Sequence, residues 1–403
     1  MNRIDISNFI KKSIIKRETS FFYDDIEEYK TILSTEINNK SVLVIGGAGT
    51  IGSSFIKQLL KFNPLKLVVV DINENALTEL TRDLRSCKEI IVPKTYLTYP
   101  MNFGSTVFKK MFLDHSPFNI VANFAAYKHV RSEKDKYSIE SMLENNIFRS
   151  KKLLQLLSEN SPEHFFCVST DKAANPVNVM GASKKIMEEL IISYSNRFKI
   201  STARFANVAF SNGSLLDGFN NRINMKQPIS CPSDVKRFFV SPEESGQICL
   251  LACILGRSGD IFFPKLNQND LINFKDICTS YFKQLDKKIL ICKNEEEAKK
   301  FSITSDKNQL YPVFFFKSNT SGEKLYEEFY TEKDNIINNK FKSMGIIRNS
   351  INFDTNSVHD RINQLRELID SNYYNKESII ILLEDFIEDF SHIERGKDLD
   401  QGM

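Results

Sequence analysis

The chain has 403 residues, 41% hydrophobic and 26% charged, with a formal net charge of +3. That length can bury a full core and leaves room for a second lobe, and the composition is that of a globular protein, which excludes a disordered or fibrous chain. Acids and bases are interspersed, so no electrostatic footprint for nucleic acid is present. No run approaches the roughly 18 uninterrupted apolar residues of a membrane span, and the first twenty residues lack the apolar core and cleavage site of a secretory signal.

Seven cysteines (Cys87, Cys167, Cys231, Cys249, Cys253, Cys278, Cys292) sit mostly in apolar runs and read as buried thiols of a reducing, cytoplasmic compartment. Cys249 and Cys253 share a helical face but have no further ligands nearby, so no metal site is expected.

Residues 1–40 read as a helical extension. Its first part suits an amphipathic helix packed on the body of the protein, and Asp24 to Leu33 places acids at a helix start, where they complement the dipole. From Ser41 a buried β-branched run, Val42-Leu43-Val44-Ile45, leads into Gly46, Gly49 and Gly52, then an amphipathic helix, then a second buried run ending in Asp71, 19 residues after Gly52. Strand, glycine turn, helix, strand and acid form one βαβ unit with the parts of a dinucleotide site. The glycines let backbone approach a pyrophosphate, the helix start offers free N–H groups, and the acid accepts from ribose hydroxyls. Nearby candidates for the same task are Thr50, Ile51 and Ala125. The GxxGxxG spacing resembles the short-chain dehydrogenase/reductase version of the fold.

Strand–helix alternation continues through Asn119–Phe124, a helix around 138–158 carrying Asn146, the strand His164–Thr170, a helix from Lys184 to Tyr194 and the run Ile200–Val208. This implies a parallel sheet covered on both faces. The predicted fold class is therefore α/β, a Rossmann-like doubly wound parallel sheet over 41–210, with a smaller C-terminal substrate lobe over 211–350 that returns in part to the main domain. A helical tail over 351–403 follows.

The stretch Ser169 to Lys185 follows a strand whose C-terminal end points into the cleft, where open parallel sheets bind ligands. Thr170, Asp171 and Lys172 bring a hydroxyl, an acid and a base together. A reductase of this fold is expected to carry Tyr-x-x-x-Lys next, a phenol tuned by a lysine. Here Met180 takes the tyrosine place and Lys184 is kept. Lys128 and His129 follow another strand end facing the same cleft; for His129 a structural hydrogen bond is the competing reading. His115, His164, His359 and His392 are scattered and read as structural or exposed. Glu323, Lys324 and Glu327 read either as helix surface or as part of the substrate lobe.

Six motifs in order, GGAGTIG (46–52), AAYKHV (125–130), STDKAANPVNVMGASK (169–184), ARFANVAFSNGSL (203–215), KRFFVSPEE (236–244) and SGEKLYEEFYTE (321–332), resemble the bacterial nucleotide-sugar 4,6-dehydratases of polysaccharide biosynthesis, which act on UDP-N-acetylglucosamine and belong to the extended short-chain dehydrogenase/reductases. Methionine at the tyrosine position is also similar to the large, membrane-anchored members. Arg131 and Ser321 stand where the family usually has proline. The resemblance implies a redox cycle with no net oxidation, using NAD, with NADP as the alternative, and a UDP-sugar substrate. It also implies a homo-oligomer. By resemblance Asp171 and Lys172 are the acid and base, both open to tuning toward neutral pH by burial and by each other. Thr170 binds the carbon 4 oxygen, Lys184 the nicotinamide ribose, and Lys128, His129 and Asn207 are substrate contacts. The rival readings are a nucleotide-sugar epimerase and a cofactor-binding module without catalysis.

Overall fold

The computed structural model describes residues 4–129, 133–301, 310–318, 326–348, 355–371, 373–388 and 390–393. Its centre is a nine-stranded sheet made of β1 (Ser41–Ile45), β2 (Lys66–Asp71), β3 (Thr95–Pro100), β4 (Ile120–Asn123), β5 (His164–Val168), β6 (Ile200–Ala203), β7 (Asp260–Pro264), β8 (Ile336–Ile337) and β9 (Met344–Arg348). The strand order is β8-β9-β7-β6-β5-β4-β1-β2-β3. From β3 to β7 every pair is parallel, and β9 and β8 add antiparallel pairs at one edge. Chain order reverses between β1 and β4, the switch point at which such sheets open a crevice beyond their C-terminal ends.

The inner strands are apolar on both faces because both are covered. Val42 and Val44 belong to one core and Leu43 and Ile45 to the other, as do Leu67 and Val69 against Val68 and Val70. One face is closed by helices α1 (Thr50–Leu60) and α3 (Pro242–Leu255), which meet closely at Gly246: a Cβ there would lie 2.4 Å from Ser54 O. The other carries α2 (Val179–Ser193), α4 (Thr355–Asp370) and α5 (Lys376–Phe386). Ile362, Leu365, Ile379 and Leu383 from the tail share one buried cluster with Ile186 and Leu190 of α2. Two parts of the 211–350 stretch, β7 and the β8–β9 hairpin, thus lie in the main sheet, while a separate three-stranded sheet of Ile229–Pro232, Lys288–Cys292 and Leu310–Phe316 forms the lobe.

The extension is a strap across both parts. Phe9, Ile10 and Ile14 pack into the lobe core with Phe219, Ile277 and Tyr281, whereas Phe22, Leu33 and Ile37 join the core beneath α1. Arg17 makes a two-pronged contact with Glu244 at 2.6 and 2.8 Å. Glu244 also completes the capping box of α3 with Ser241. Asp24 and Asp25 do lie in the first turn of a helix, Tyr23–Glu28, yet only Asp24 faces water. Asp25 is buried, and its carboxylate accepts from Lys342 N at 2.8 Å, Ser343 N at 2.9 Å and the Ser343 hydroxyl. Its main service is to backbone donors across the domain, not to the helix dipole. All seven cysteines are free and six are buried. Among the described residues no group of His, Cys, Asp and Glu could hold a metal, and no helix is long and apolar enough to cross a membrane.

Asp25→Ala leaves buried donors unpaired and is expected to lower unfolding free energy by about 2–4 kcal/mol. Asp24→Ala, which removes only an exposed contact to Lys342, is expected to stay within about 0.5 kcal/mol of wild type. Urea unfolding of both variants checks this, and equal effects would remove the strap's assigned role.

Candidate active site

Parallel register brings the chemistry to one edge. Ile45 pairs with Asn123, Asn123 with Cys167 and Val168 with Ala203, so the glycine turn, the Ala125 loop and the Thr170 loop all leave the sheet at the same end. Gly46 has φ +71°, and a Cβ on it would sit 2.5 Å from Ala125 N, so turn and loop touch backbone to backbone. Gly49 caps α1 with no side-chain hydrogen bond, which leaves the first-turn N–H groups of Thr50, Ile51 and Gly52 without a side-chain acceptor from the cap. The Asp71 carboxylate accepts from Ala48 N and from Asn73 N, both at 3.0 Å, at the end of β2. A bare helix start, a glycine turn and a strand-end carboxylate fit a dinucleotide.

The Ala125 loop is set by a π-helical segment, Glu144–Phe148, inside the long helical stretch after it. Asn146 accepts from Tyr127 N at 2.9 Å and donates to Tyr127 O at 3.1 Å and Ser183 Oγ at 3.0 Å. Asn145 reaches Ala125 O at 3.4 Å. Such bulges are frequent at functional sites because they re-aim side chains. Lys128 donates to Asn212 O at 3.1 Å, and Asn212 N donates to Thr50 Oγ1 at 3.0 Å, so Asn212 links the loop that carries Lys128 to the start of α1. His129 lies against Gly213, where a Cβ would be 3.4 Å from its Nε2. Asn207 is half-buried in a short strand, Asn207–Val208, paired with Phe239–Val240.

Beyond β5, Thr170 caps a single 3-10 turn, Asp171–Ala173. Asp171 is 4% exposed and accepts from Thr170 Oγ1 at 2.8 Å, Lys172 N at 2.9 Å and Lys172 Nζ at 3.1 Å. Lys172 Nζ is also 3.6 Å from Glu327 Oε1, which Arg237 approaches to 3.9 Å. Burial pushes the Lys172 ammonium down, but Asp171 and Glu327 outweigh it and hold its pKa above the usual lysine value. The expected tuning of this lysine toward neutral pH does not occur. Glu327 is buried, and the described part of its segment contains no helix, so the helix-surface reading of Glu327 fails. Glu323, Lys324, Arg131 and Ser321 lie outside the described residues.

Helix α2 begins at Val179, five residues before the expected start at Lys184, because Asn178 caps it through Gly181 N at 2.7 Å. Met180 therefore lies in its first turn, 2% exposed in an apolar cluster, and its N–H donates to Glu133 Oε1 at 3.0 Å. Glu133 also meets His392 Nε2 of the tail at 3.2 Å. Lys184, one turn on, is 3% exposed and donates to Val168 O at 2.6 Å, with Met187 Sδ at 3.3 Å. Burial lowers its pKa, with Cys167 and Glu188 opposing. Glu133, Asn145 and His392 were not singled out from sequence as site residues, and Glu327 was read there as either helix surface or part of the substrate lobe. Glu133 and His392 meet across 259 residues of chain, and no local pattern marks them.

Residues 42–349 match the family described as polysaccharide biosynthesis protein. The chain belongs to this family. A Methanocaldococcus jannaschii protein described as an uncharacterized membrane protein is 33% identical over 310 residues, 75% of this chain and 84% of that one. The UDP-N-acetylglucosamine 4,6-dehydratase (inverting) of Campylobacter jejuni is 26% identical over 287 residues, 68% of this chain and 80% of that one. Among solved structures, Pen from Bacillus thuringiensis shares the fold with a TM-score of 0.64 at 22% identity, covering 78% of this chain and 89% of that one. Arg17 of the strap and His392 of the tail lie outside the matched residues.

Lys184 holds a desolvated ammonium against a carbonyl and a thioether. Because its folded pKa is lowered, the charged form costs stability below that pKa, and the cost fades as pH rises toward the unfolded value of about 10.4. Lys184→Met is therefore expected to be at least as stable as wild type at pH 7, with the gap closing in alkaline buffer. Paired urea unfolding curves at pH 7 and pH 10 check both statements, and a variant weaker by more than about 1 kcal/mol at pH 7 would overturn them.

Proposed function

We propose that the protein is a nucleotide-sugar 4,6-dehydratase that uses NAD and acts on a UDP-N-acetylhexosamine, with UDP-N-acetylglucosamine as the first candidate. The observation that carries this reading is the buried Asp171–Lys172 contact of 3.1 Å beside Thr170, at the sheet edge that also bears the glycine turn. An epimerase needs only hydride removal and return at one carbon. Elimination needs in addition an acid and a base that reach carbons 5 and 6, and this pair supplies them. The name of the Campylobacter jejuni relative supports the same class.

Gly46, Gly49, Thr50, Ile51, Gly52, Asp71, Ala125 and Lys184 would hold the cofactor. A bound nicotinamide would supply the redox chemistry, taking a hydride from sugar carbon 4 and giving it back at carbon 6. Thr170 would hydrogen-bond the carbon 4 oxygen, and oxidation there acidifies the proton at carbon 5. Asp171 and Lys172 then carry the proton transfers of the elimination, in which the carbon 6 hydroxyl leaves as water. Met180 has no exchangeable proton and is packed in an apolar cluster, so the proton of the carbon 4 hydroxyl would pass through Thr170 to water, leaving the pair free for the elimination and for the return of a proton to carbon 5 when hydride reaches carbon 6. Lys128, His129 and Asn207 remain candidates for the substrate side. Self-association into a homo-oligomer is also proposed.

Incubation with UDP-N-acetylglucosamine, followed by NMR, is expected to give a 4-keto-6-deoxy sugar. A carbon 4 epimer would support the rival enzyme, and an unchanged sugar a binding module. Lys172→Ala and Asp171→Asn should each lower turnover by about 10² to 10⁴ while cofactor stays bound; activity within a few-fold of wild type would take that residue out of the mechanism.

The cofactor preference follows from Asp71, whose carboxylate would face the extra negative charge of a 2′-phosphate. The nucleotide released from purified protein by heat is expected to be NAD. Recovery of NADP would show that Asp71 does not select.

A further inference from the structure

The C-terminal tail reaches the start of α2 through a buried contact between distant parts of the chain. His392 Nε2 lies 3.2 Å from Glu133 Oε2, and both side chains are buried. The other oxygen of Glu133 accepts from Met180 N at 3.0 Å. A second tether runs beside it: Ile393 N donates to Val177 O at 3.1 Å, just ahead of the Asn178 cap. The tail is itself held. His392 N donates to Glu384 Oε1 at 3.1 Å, and Phe386, Ile387 and Phe390 share one apolar cluster with Val179 and Met180.

The first turn of α2 in turn touches the chemistry. Gly181 follows Met180, and a Cβ on it would sit 2.6 Å from Lys172 O. The helix start therefore lies on the backbone of the Asp171–Ala173 turn with no side chain between them. In the same helical turn Ser183 Oγ donates to Met180 O at 2.7 Å and accepts from Asn146 Nδ2 at 3.0 Å. Asn146 holds both backbone groups of Tyr127. One turn of helix thus sets the Asp171–Lys172 pair against the loop that carries Lys128. Close-packed backbone passes a displacement on, because it has few voids to absorb it.

From this geometry we infer that His392 is a positioning residue: as a hydrogen-bond donor to Glu133 it fixes the first turn of α2 and, through Gly181, the place of the Asp171–Lys172 turn. The inference rests on the dehydratase reading for what that turn does, and on the contacts alone for how it is held. Glu133, with one oxygen on the tail and one on the helix, is the clamp between them. Removing the imidazole takes a partner from a buried carboxylate, which then relaxes toward water or another donor and loosens its hold on Met180 N. A shift of about 1 Å in the place of a reacting group, caused from a distance, can cost about a hundredfold in rate.

The test uses the whole chain. His392→Gln keeps an N–H donor near the place of Nε2, whereas His392→Leu fills the space and removes the donor. In the leucine variant kcat with UDP-N-acetylglucosamine should fall by about ten- to a hundredfold, with KM within a few-fold, because the pair acts in the chemical step. The glutamine variant should recover most of that loss. A folded leucine variant with wild-type kcat would overturn the inference. Equal losses in the two variants would do the same, because a part limited to packing the tail does not depend on a donor.

A second measurement needs no substrate. In protein labelled with 15N-methionine and 15N-lysine, the amide signals of Met180 and Lys172 are assigned by their loss in Met180→Leu and Lys172→Arg. Both should move in His392→Leu and return toward their wild-type positions in His392→Gln. A Met180 signal that moves while that of Lys172 stays would show that the displacement stops at the helix, and the inference would fall. In the wild-type protein the ring 15N signals of His392, assigned by their loss in His392→Gln, should report a proton on Nε2. A bare Nε2 cannot donate to a carboxylate, and finding one would overturn the inference even where the leucine variant does not fold. A protein that dehydrates no sugar would sink the functional reading, and these signals would still decide whether His392 positions the turn.

Discussion

The ion pair between Arg204 and Glu188 is the constraint on which the site hangs. Both side chains are 1% exposed, and the guanidinium meets the carboxylate with two bonds, of 2.9 and 2.7 Å. Burial alone would push Glu188 up; Arg204 outweighs it and keeps the carboxyl below its usual range. Removing one partner of such a pair strands a charge and costs about 3–5 kcal/mol. The pair also fixes position. Glu188 accepts from Ser169 Oγ at 2.6 Å, next to Thr170, and lies one turn beyond Lys184 on α2. Arg204 holds Phe329 O, two residues from Glu327. Loop, helix and distal segment are thus referred to one buried point.

The strap and the tail bear on the same geometry from outside the matched family segment. The tail's apolar residues pack under α2, and its last described residues reach the first turn of that helix: Ile393 N donates to Val177 O at 3.1 Å, and His392 meets Glu133, which in turn accepts from Met180 N. Where related chemistry expects a phenol, this chain has an apolar residue whose backbone, not its side chain, is held by an acid. The helix start is therefore positioned by the Asn178 cap together with contacts from the tail.

Much of the fold was legible because it depends on local periodicity. The β1–glycine–α1–β2 unit follows from two apolar runs around three glycines, and the alternation after it dictates covered parallel strands. Thr170, Asp171 and Lys172 were legible because they are consecutive and follow a strand. The α2 boundary was misplaced at Lys184 although Val179, Ala182 and Ile186 already follow the Asn178 cap at helical spacing. Glu327 was ambiguous for a different reason: its environment is made by Lys172 and Arg237, more than 80 residues away in the chain, and a sequence window contains neither. The π-helical turn that orients Asn145 and Asn146 is likewise invisible to a 3.6-residue period.

The two buried lysines show how burial and counter-charge divide the work. Lys172 and Lys184 both follow β5 and both suffer desolvation as the largest single effect on their protons. Their pKa values move in opposite directions because Lys172 has carboxylates at 3.1 and 3.6 Å, whereas Lys184 faces a carbonyl and a thioether. Nearby negative charge holds the proton on Lys172, and Asp171 is adjacent in sequence to provide part of it. Lys184 has no carboxylate so close among the described residues, and the low dielectric around it strengthens the hydrogen bond it donates to Val168 O. The distinction is not intrinsic to either residue. It was set when the chain brought Glu327 to one lysine and a strand-end carbonyl to the other.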